Sequence, residues 1–137
     1  MSFVLDSSAT LAWVYPDELT PATKRLSEQV SEVGAFVPTI WRLEIGNNLL
    51  LAVRRGRIGN AQRANFLEFL NSVNITVDRE TEAVAWTSTM RLAERFRLTL
   101  YDACYLELAQ RRALPLATLD RDLRGAGKKL GLDMLGV

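Results

Sequence analysis

Four acidic residues lie beside apolar segments in places where a carboxylate could do chemistry. Asp6 directly follows Phe3-Val4-Leu5, and Asp120 closely follows Leu116-Ala117-Thr118. Glu44 is set in Trp41-Arg42-Leu43-Glu44-Ile45-Gly46-Asn47, a mostly apolar stretch in which a buried carboxylate needs a partner. Asp102 is similarly placed in Tyr101-Asp102-Ala103-Cys104-Tyr105-Leu106. Each acid also has an ordinary structural explanation. Asp6 can form an Asx turn and Asp102 an N-cap, Glu44 can be solvated, and Asp120 and Asp122 can complement a helix N-terminus. Convergence of all four would be a different matter. Two carboxylates about 4 Å apart repel by roughly 4 kcal/mol at an effective dielectric near 20, so a cluster demands protons or cations.

The residues that are missing narrow the chemistry further. The chain contains no histidine and one cysteine, Cys104. Ser-His-Asp and Cys-His catalysis, histidine- or cysteine-rich zinc, histidine-ligated haem and iron–sulfur clusters are thereby excluded. No phosphate-binding glycine loop is present, since Gly125-Ala126-Gly127-Lys128 falls late in a helical pattern and lacks the required spacing. An enzyme built from this chain must rely on carboxylates, hydroxyls, arginines or hard cations. Oxygen donors without histidine favour Mg²⁺ or Mn²⁺ over zinc. With no base to activate them, Ser7 and Thr118 are expected to position by hydrogen bonding rather than to attack.

These acids must be positioned by regular elements, and the apolar pattern supplies them. Strands are expected at Phe3–Leu5, Ala35–Val37, Ile75–Val77 and Leu116–Thr118, with a fifth at Met134–Leu135. Between them the pattern predicts a helix capped by Ser7 or Ser8 and stopped by Pro16, and another from Pro21 to Glu32. A long helix from Thr39 to about Arg55 is expected to turn Ile40, Leu43, Asn47 and Leu50 to one face. A further helix passes through Phe66, Leu67 and Leu70 after the Gly56–Gly59 turn. Thr81 to Arg97 reads as a helix with Trp86, Met90 and Ala93 on its apolar stripe. Asp102 is expected to cap the next helix, and Asp120 to Leu130 forms the last. Strands alternating with helices predict an α/β fold with a parallel sheet covered on both faces. Ligands then bind beyond the carboxyl ends of the strands, the edge where Asp6 and Asp120 fall.

With 137 residues, 48% of them hydrophobic, the chain suits one domain with its own core. No apolar run is long enough to span a bilayer, and Met1-Ser2-Phe3 lacks the basic, apolar character of a signal peptide. We therefore expect a cytoplasmic protein without membrane association. The net charge of +1 argues against a strongly basic nucleic-acid binder. That balance can conceal a segregated distribution. With four acids set aside at a metal, 17 basic residues face 12 acids, and 14 of the 17 are arginines suited to bidentate phosphate contacts. Candidate phosphate contacts are Arg54, Arg55 and Arg57 at one helix end, and Arg121, Arg124, Lys128 and Lys129 on the last helix. Trp13, Trp41 and Trp86 are expected in the core or at an interface.

Four segments in order, Phe3-Val4-Leu5-Asp6-Ser7-Ser8, Glu44-Ile45-Gly46-Asn47, Leu100-Tyr101-Asp102-Ala103-Cys104-Tyr105-Leu106 and Leu116-Ala117-Thr118-Leu119-Asp120-Arg121-Asp122, resemble the motifs of PIN-domain nucleases. In order, spacing and length the chain most resembles the VapC toxins of toxin–antitoxin pairs. The resemblance implies a single PIN domain over 1–137, a three-layer α/β/α sandwich with a central parallel sheet of four to five strands. It also implies an endoribonuclease dependent on one or two Mg²⁺ or Mn²⁺ ions, in which metal-activated water attacks the phosphodiester in line. The family's acidic quartet maps onto Asp6, Glu44, Asp102 and Asp120, and Asp122 onto a position that can assist a second metal. Ser7, Asn47 and Thr118 match supporting polar positions. Gly46 and Asn48 stand where alanine is more usual. The expected partners are RNA, a VapB-like antitoxin and a second copy of the chain.

Two alternatives keep the same fold: a non-toxin PIN nuclease of RNA processing, or a decayed RNA- or protein-binding module. A phosphoacceptor receiver fits less well, because Asp6 is followed by Ser7 and no suitable late lysine accompanies Asp78. A D-x-D phosphohydrolase fails because Asp6-Ser7-Ser8 lacks the second aspartate.

Overall fold

The computed structural model describes all residues from Met1 to Val137. Strands β1 (Phe3–Leu5), β2 (Ala35–Val37), β3 (Ile75–Val77), β4 (Leu116–Ala117) and β5 (Met134–Leu135) form one sheet, ordered β3-β2-β1-β4-β5. Every pairing is parallel, with Val4 opposite both Phe36 and Leu116. The chain therefore builds outward from β1 to β3, then crosses back to place β4 on the free side of β1. That reversal opens a crevice between β1 and β4 at their carboxyl ends, the switch point at which open α/β sheets bind ligands. All three residues of β1 are buried, as expected of a central strand covered on both faces.

The helices are α1 (Ser7–Leu11), α2 (Pro21–Val33), α3 (Trp41–Arg54), α4 (Asn60–Ser72), α5 (Met90–Phe96), α6 (Leu100–Arg112) and α7 (Arg121–Lys129). Helix α3 packs on α1 and α4, while α6 packs on α5, α7 and β1. The sheet is enclosed between helical layers, giving the expected α/β/α sandwich. Every residue from Ala103 to Ala109 is buried, so α6 is enclosed on all sides and its sequence is apolar around Asp102 for that reason. At Gly34, with φ of +77°, a Cβ would come within 2.9 Å of the Asn74 carbonyl; only glycine fits that entry into β2.

Local details depart from the sequence expectations in instructive ways. Helix α3 buries Trp41, Ile45, Leu49 and Ala52, while Leu43 is 76% and Leu50 44% exposed. Both sets have helical spacing, and the run Leu49-Leu50-Leu51 leaves the phase to be set by packing. Thr81 to Arg97 is not one helix. After a turn, a π-helical segment spans Ala85–Thr89, and only then does α5 begin. The wider π turn shifts the phase, burying Thr89 and Leu92 and leaving Trp86 84% exposed. Thr99, not Asp102, caps α6 by accepting from the Asp102 N–H. Asp6, rather than Ser7 or Ser8, takes the cap position of α1. Ile40 precedes α3, and the Thr39 N–H donates instead to Thr81 Oγ1 at 3.2 Å.

Asp78, which follows β3, is 1% exposed and pins that edge to the end of α6. Arg111 donates to it at 2.7 and 3.1 Å, and Arg112 at 3.2 Å. Burial alone would raise the Asp78 carboxyl, but the two guanidiniums outweigh it and hold the pKa below 3.8. Arg111 also grips Glu107, one turn earlier, so the buried acids of this region are paired.

Candidate active site

Asp6 occupies the crevice between β1 and β4. Its backbone N–H donates to the Ala117 carbonyl at 3.0 Å, which locks the residue to the neighbouring strand. The side chain is 3% exposed. Its Oδ2 accepts from Thr118 Oγ1 at 2.6 Å and from Ser8 Oγ at 2.7 Å. Burial raises the Asp6 pKa above 3.8; these hydroxyls oppose the shift, and the charge of Asp120 adds to it.

Ser8 also accepts from the Leu119 N–H, tying α1 to the segment after β4. Thr118 Oγ1 in turn accepts from the Asp120 N–H at 3.0 Å, so one hydroxyl links the two aspartates. Asp120 caps α7 through the Leu123 N–H at 2.8 Å. Its structural role therefore coexists with its place beside Asp6.

Glu44 projects from the first turn of α3. One carboxylate oxygen, Oε1, accepts a short hydrogen bond from the buried hydroxyl of Tyr105 on α6. Burial raises the Glu44 pKa; the Tyr105 hydrogen bond opposes this, and the charges of Asp6 and Asp102 add to it. Asp102 is raised in the same way, first by burial and then by Asp6, Asp120 and Asp122. Asp6 and Asp120 are joined through the Thr118 hydroxyl, and Glu44 is joined through Tyr105 to α6, the helix that also carries Asp102. Burial of Tyr105 and the nearby acids pushes its hydroxyl pKa strongly upward, keeping it a donor. Cys104 is likewise raised, to about 11, so it carries no reactive thiolate at neutral pH.

The supporting residues separate by position. Thr118 contacts Asp6 directly, whereas Ser7 reaches it only at 3.4 Å. Asn47 is exposed on α3, while Asn48 borders the cleft next to Ser7 and Ser8 and donates to the Glu44 carbonyl. Asp122 is exposed one residue beyond the start of α7. Ser8 and Tyr105 are the contacts that sequence reasoning missed. Both stand within the acid-bearing motifs, but only the fold shows that their hydroxyls point at acids.

The basic candidates are equally divided. Arg54 and Lys128 are exposed. Arg55 borders the cleft beside Ser7 and Ser8. Arg57 borders it too, but pairs with Asp17 and Glu18 and lies 3.7 Å over the Tyr15 ring. Arg124 donates to the Thr118 and Leu135 carbonyls, where it braces β4 and β5. Arg121 lines a second cleft, together with Asp122.

The donor chemistry suits a hard divalent cation: oxygen ligands only, with burial and neighbouring acids disfavouring the charged forms of Asp6, Glu44 and Asp102. No three acid, cysteine or histidine side chains approach closely enough to hold an ion by themselves. Mg²⁺ does not require such a trio, because it keeps several waters and takes one or two carboxylates.

Comparison with known proteins agrees with this architecture. Ribonuclease VapC3 of Pyrobaculum aerophilum is 30% identical over 123 residues, covering 90% of this chain and 92% of its own length. The crystal structure of PAE2754 from the same organism superposes with a TM-score of 0.70 at 24% identity, covering 98% of this chain and 89% of its own. FitAcB of Neisseria gonorrhoeae gives 0.64 at 14% identity, covering 98% and 96%. VapC20 of Mycobacterium tuberculosis, a Sarcin-Ricin loop cleaving toxin, gives 0.61 at 21% identity, covering 93% and 95%. The PIN-domain family profile matches residues 3–129, from β1 to the end of α7, and so takes in all four acids. A parallel sheet with Asp6 and Asp120 at the β1–β4 switch point, and a family match along nearly its whole length, establish that this chain belongs to the PIN-domain family.

Proposed function

We propose that the protein is a divalent-cation-dependent endoribonuclease, the toxin of a VapC-type toxin–antitoxin pair. The observation that carries the reading is the Thr118 hydroxyl joining Asp6 and Asp120 at the β1–β4 edge, with Glu44 held by Tyr105 on the helix that carries Asp102, and with burial and neighbouring acids raising the pKa of Asp6, Glu44 and Asp102. Such a cluster is costly in a fold that does not neutralise it. The likeness to ribonuclease VapC3 supports RNA as the substrate class, and the likeness to VapC20 supports the toxin role.

Asp6, Asp102, Asp120 and Glu44 would hold one or two Mg²⁺ or Mn²⁺ ions, directly or through water, with Asp122 assisting. A bound ion lowers the pKa of water and offsets charge on the scissile phosphate. The chain's own residues provide the alignment. Thr118 and Ser8 fix the Asp6 carboxylate, and Tyr105 fixes one oxygen of Glu44. Ser7 and Thr118 have no base to make them nucleophiles, so no covalent enzyme intermediate forms.

The reading extends to a VapB-like antitoxin and to a homodimer. Leu43 and Leu50 are exposed along α3, an apolar surface suited to a second chain. Light scattering should then report twice the 15.4 kDa chain mass. The deciding experiment measures cleavage of a panel of RNAs with Mg²⁺, with Mn²⁺ and with EDTA. Activity restored by either ion after EDTA is expected. Full activity in EDTA, or in Asp6→Asn, would overturn the mechanism.

A further inference from the structure

A cleft of about 360 Å³ lies between the end of α5 and one face of α7. Arg95 and Arg97 border it from α5 and the residue after it, and Arg121 and Lys129 from α7. Asp122 is its sole carboxylate. All four cations are exposed. None takes part in an ion pair: every salt bridge in the molecule is made by Arg57, Arg111 or Arg112. Between Arg121 and Lys129, at one helical face, stands Gly125, with nothing within 4 Å of where its Cβ would lie. The cleft is thus open above a bare backbone and rimmed by uncompensated positive charge.

Its location gives that charge a use. Arg121 and Asp122 border the cleft and directly follow Asp120, whose N–H is held by the same Thr118 hydroxyl that donates to Asp6. Arg97 ends α5 in the left-handed conformation, with φ of 53°, where glycine or asparagine is the ordinary occupant. Stopping a helix does not require an arginine. Three of the four cations are arginines, whose planar fork matches phosphate oxygens in pairs.

We propose that this α5–α7 cleft is a phosphate-binding subsite for single-stranded RNA, gripping the backbone beside the bond presented to the acids. The proposal rests on the nuclease reading, because a strand that reaches Asp6 and Asp102 must continue past them. It adds Arg95 and Arg97 to the phosphate contacts expected of Arg121 and Lys129, and gives all four a positioning role.

The test is fluorescence anisotropy of a labelled single-stranded RNA in EDTA, over a series of salt concentrations, with gels confirming that the RNA stays intact. Each single-strand phosphate contact contributes about 0.7 to the slope of log affinity against log salt. The double variant Arg95→Gln/Arg97→Gln should therefore lower the slope by about 1.4, and Lys129→Gln, which does not touch the α5 terminus, by about 0.7. Lys24→Gln, an exposed cation on α2, should change nothing. In cleavage assays the double variant should raise KM with kcat largely kept. A wild-type slope in both the double variant and Lys129→Gln would overturn the subsite. So would unchanged RNA binding accompanied by lost affinity for an acidic peptide, which would make the cleft a protein-docking site. RNA left uncut by the wild-type protein with Mg²⁺ would instead remove the nuclease reading, while the anisotropy still reports on the cleft.

Discussion

Two clefts, one beside Ser7 and Ser8 and one beside Arg121 and Asp122, are nearly equal in size and differ in how their cations are paired. The one beside Ser7 and Ser8 measures about 350 Å³, and the α5–α7 cleft about 360 Å³. The first contains Arg55 and Arg57, but Arg57 is gripped by Asp17 at 3.1 Å and Glu18 at 2.7 Å and lies over Tyr15. Those carboxylates raise the Arg57 pKa, and Arg57 lowers that of Asp17, the mark of a satisfied pair. The second holds four cations with no carboxylate clamp, although Arg95 lies 4.7 Å over the Phe96 ring. A basic cluster counts as an anion site only after its internal partners have been subtracted. The difference suggests a division of labour in which one side is braced by its arginine and the other leaves arginines free for substrate.

The largest expected effect comes from the acids. Asp6→Asn should reduce RNA cleavage by about 10²–10³-fold, the scale of losing a principal electrostatic group. Without divalent cation the same variant should melt at a higher temperature than wild type at pH 7, because it removes a buried charge. The sign follows from linkage. Asp6, Glu44 and Asp102 have raised pKa values in the fold, so their protonated forms contribute stability that is full below the ordinary values of 3.8 to 4.5 and lost as pH rises above them. Cation-free protein should therefore lose stability as pH rises above those ordinary values, and Mg²⁺ should restore it where the acids are charged. Asp78 works oppositely: its lowered pKa makes its contribution fail as pH falls below 3.8. Calorimetry across pH, with and without Mg²⁺, checks both arms. A flat profile in the absence of cation would mean that the acids do not repel, and the two clefts would then adjoin a neutral centre.

Next in size is the hydroxyl that joins Asp6 to Asp120. Thr118→Val keeps the shape but removes a donor to Asp6 and an acceptor for the Asp120 N–H. A loss of about 10–100-fold in Mn²⁺ affinity is expected, the usual scale for an outer partner of a metal ligand. Isothermal titration measures this without reference to turnover. An equal loss in RNA binding with Mn²⁺ affinity intact would place Thr118 on the substrate instead.

The clefts also show how far the sequence could be read. All five strands are visible as short apolar runs: β1 and β4 are buried outright, and the edge strands β3 and β5 are half-buried. The four acids were visible because each interrupts or ends such a run. The helix faces were not: α3 carries apolar residues on more than one side, and the π-helical segment at Ala85–Thr89 resets the period that Trp86 and Met90 were expected to follow. Charge was least legible. Arg54-Arg55-Gly56-Arg57 is the densest basic run in its region, yet Arg57 is neutralised by acids about 40 positions away. Arg95 and Arg97 join Arg121 and Lys129 only through the packing of α5, α6 and α7. Periodicity records local constraint, whereas compensation between charges is a property of tertiary contact.

A smaller effect should follow from making the first cleft resemble the second. The double variant Asp17→Asn/Glu18→Gln frees Arg57 while leaving its side chain in place. The salt slope of RNA binding should steepen by about 0.7, one added phosphate contact. A slope that does not move would show that this cleft is outside the RNA path whatever its charge.

The smallest effect is expected from Arg57→Gln, and it is the sharpest discriminator. The pair is largely exposed, with Arg57 42% and Asp17 72% accessible, so salt already screens it. The variant should lower the melting temperature slightly, through the lost bridge and the lost contact over Tyr15, and by less at high salt. Its RNA affinity and salt slope should match wild type, because an arginine held by two carboxylates is not available to phosphate. A slope reduced by about 0.7 would mean that Arg57 exchanges its acids for RNA on binding. In that event Asp17 and Glu18 act as a competing anion that the substrate displaces, and the two clefts form one continuous track across the carboxylates.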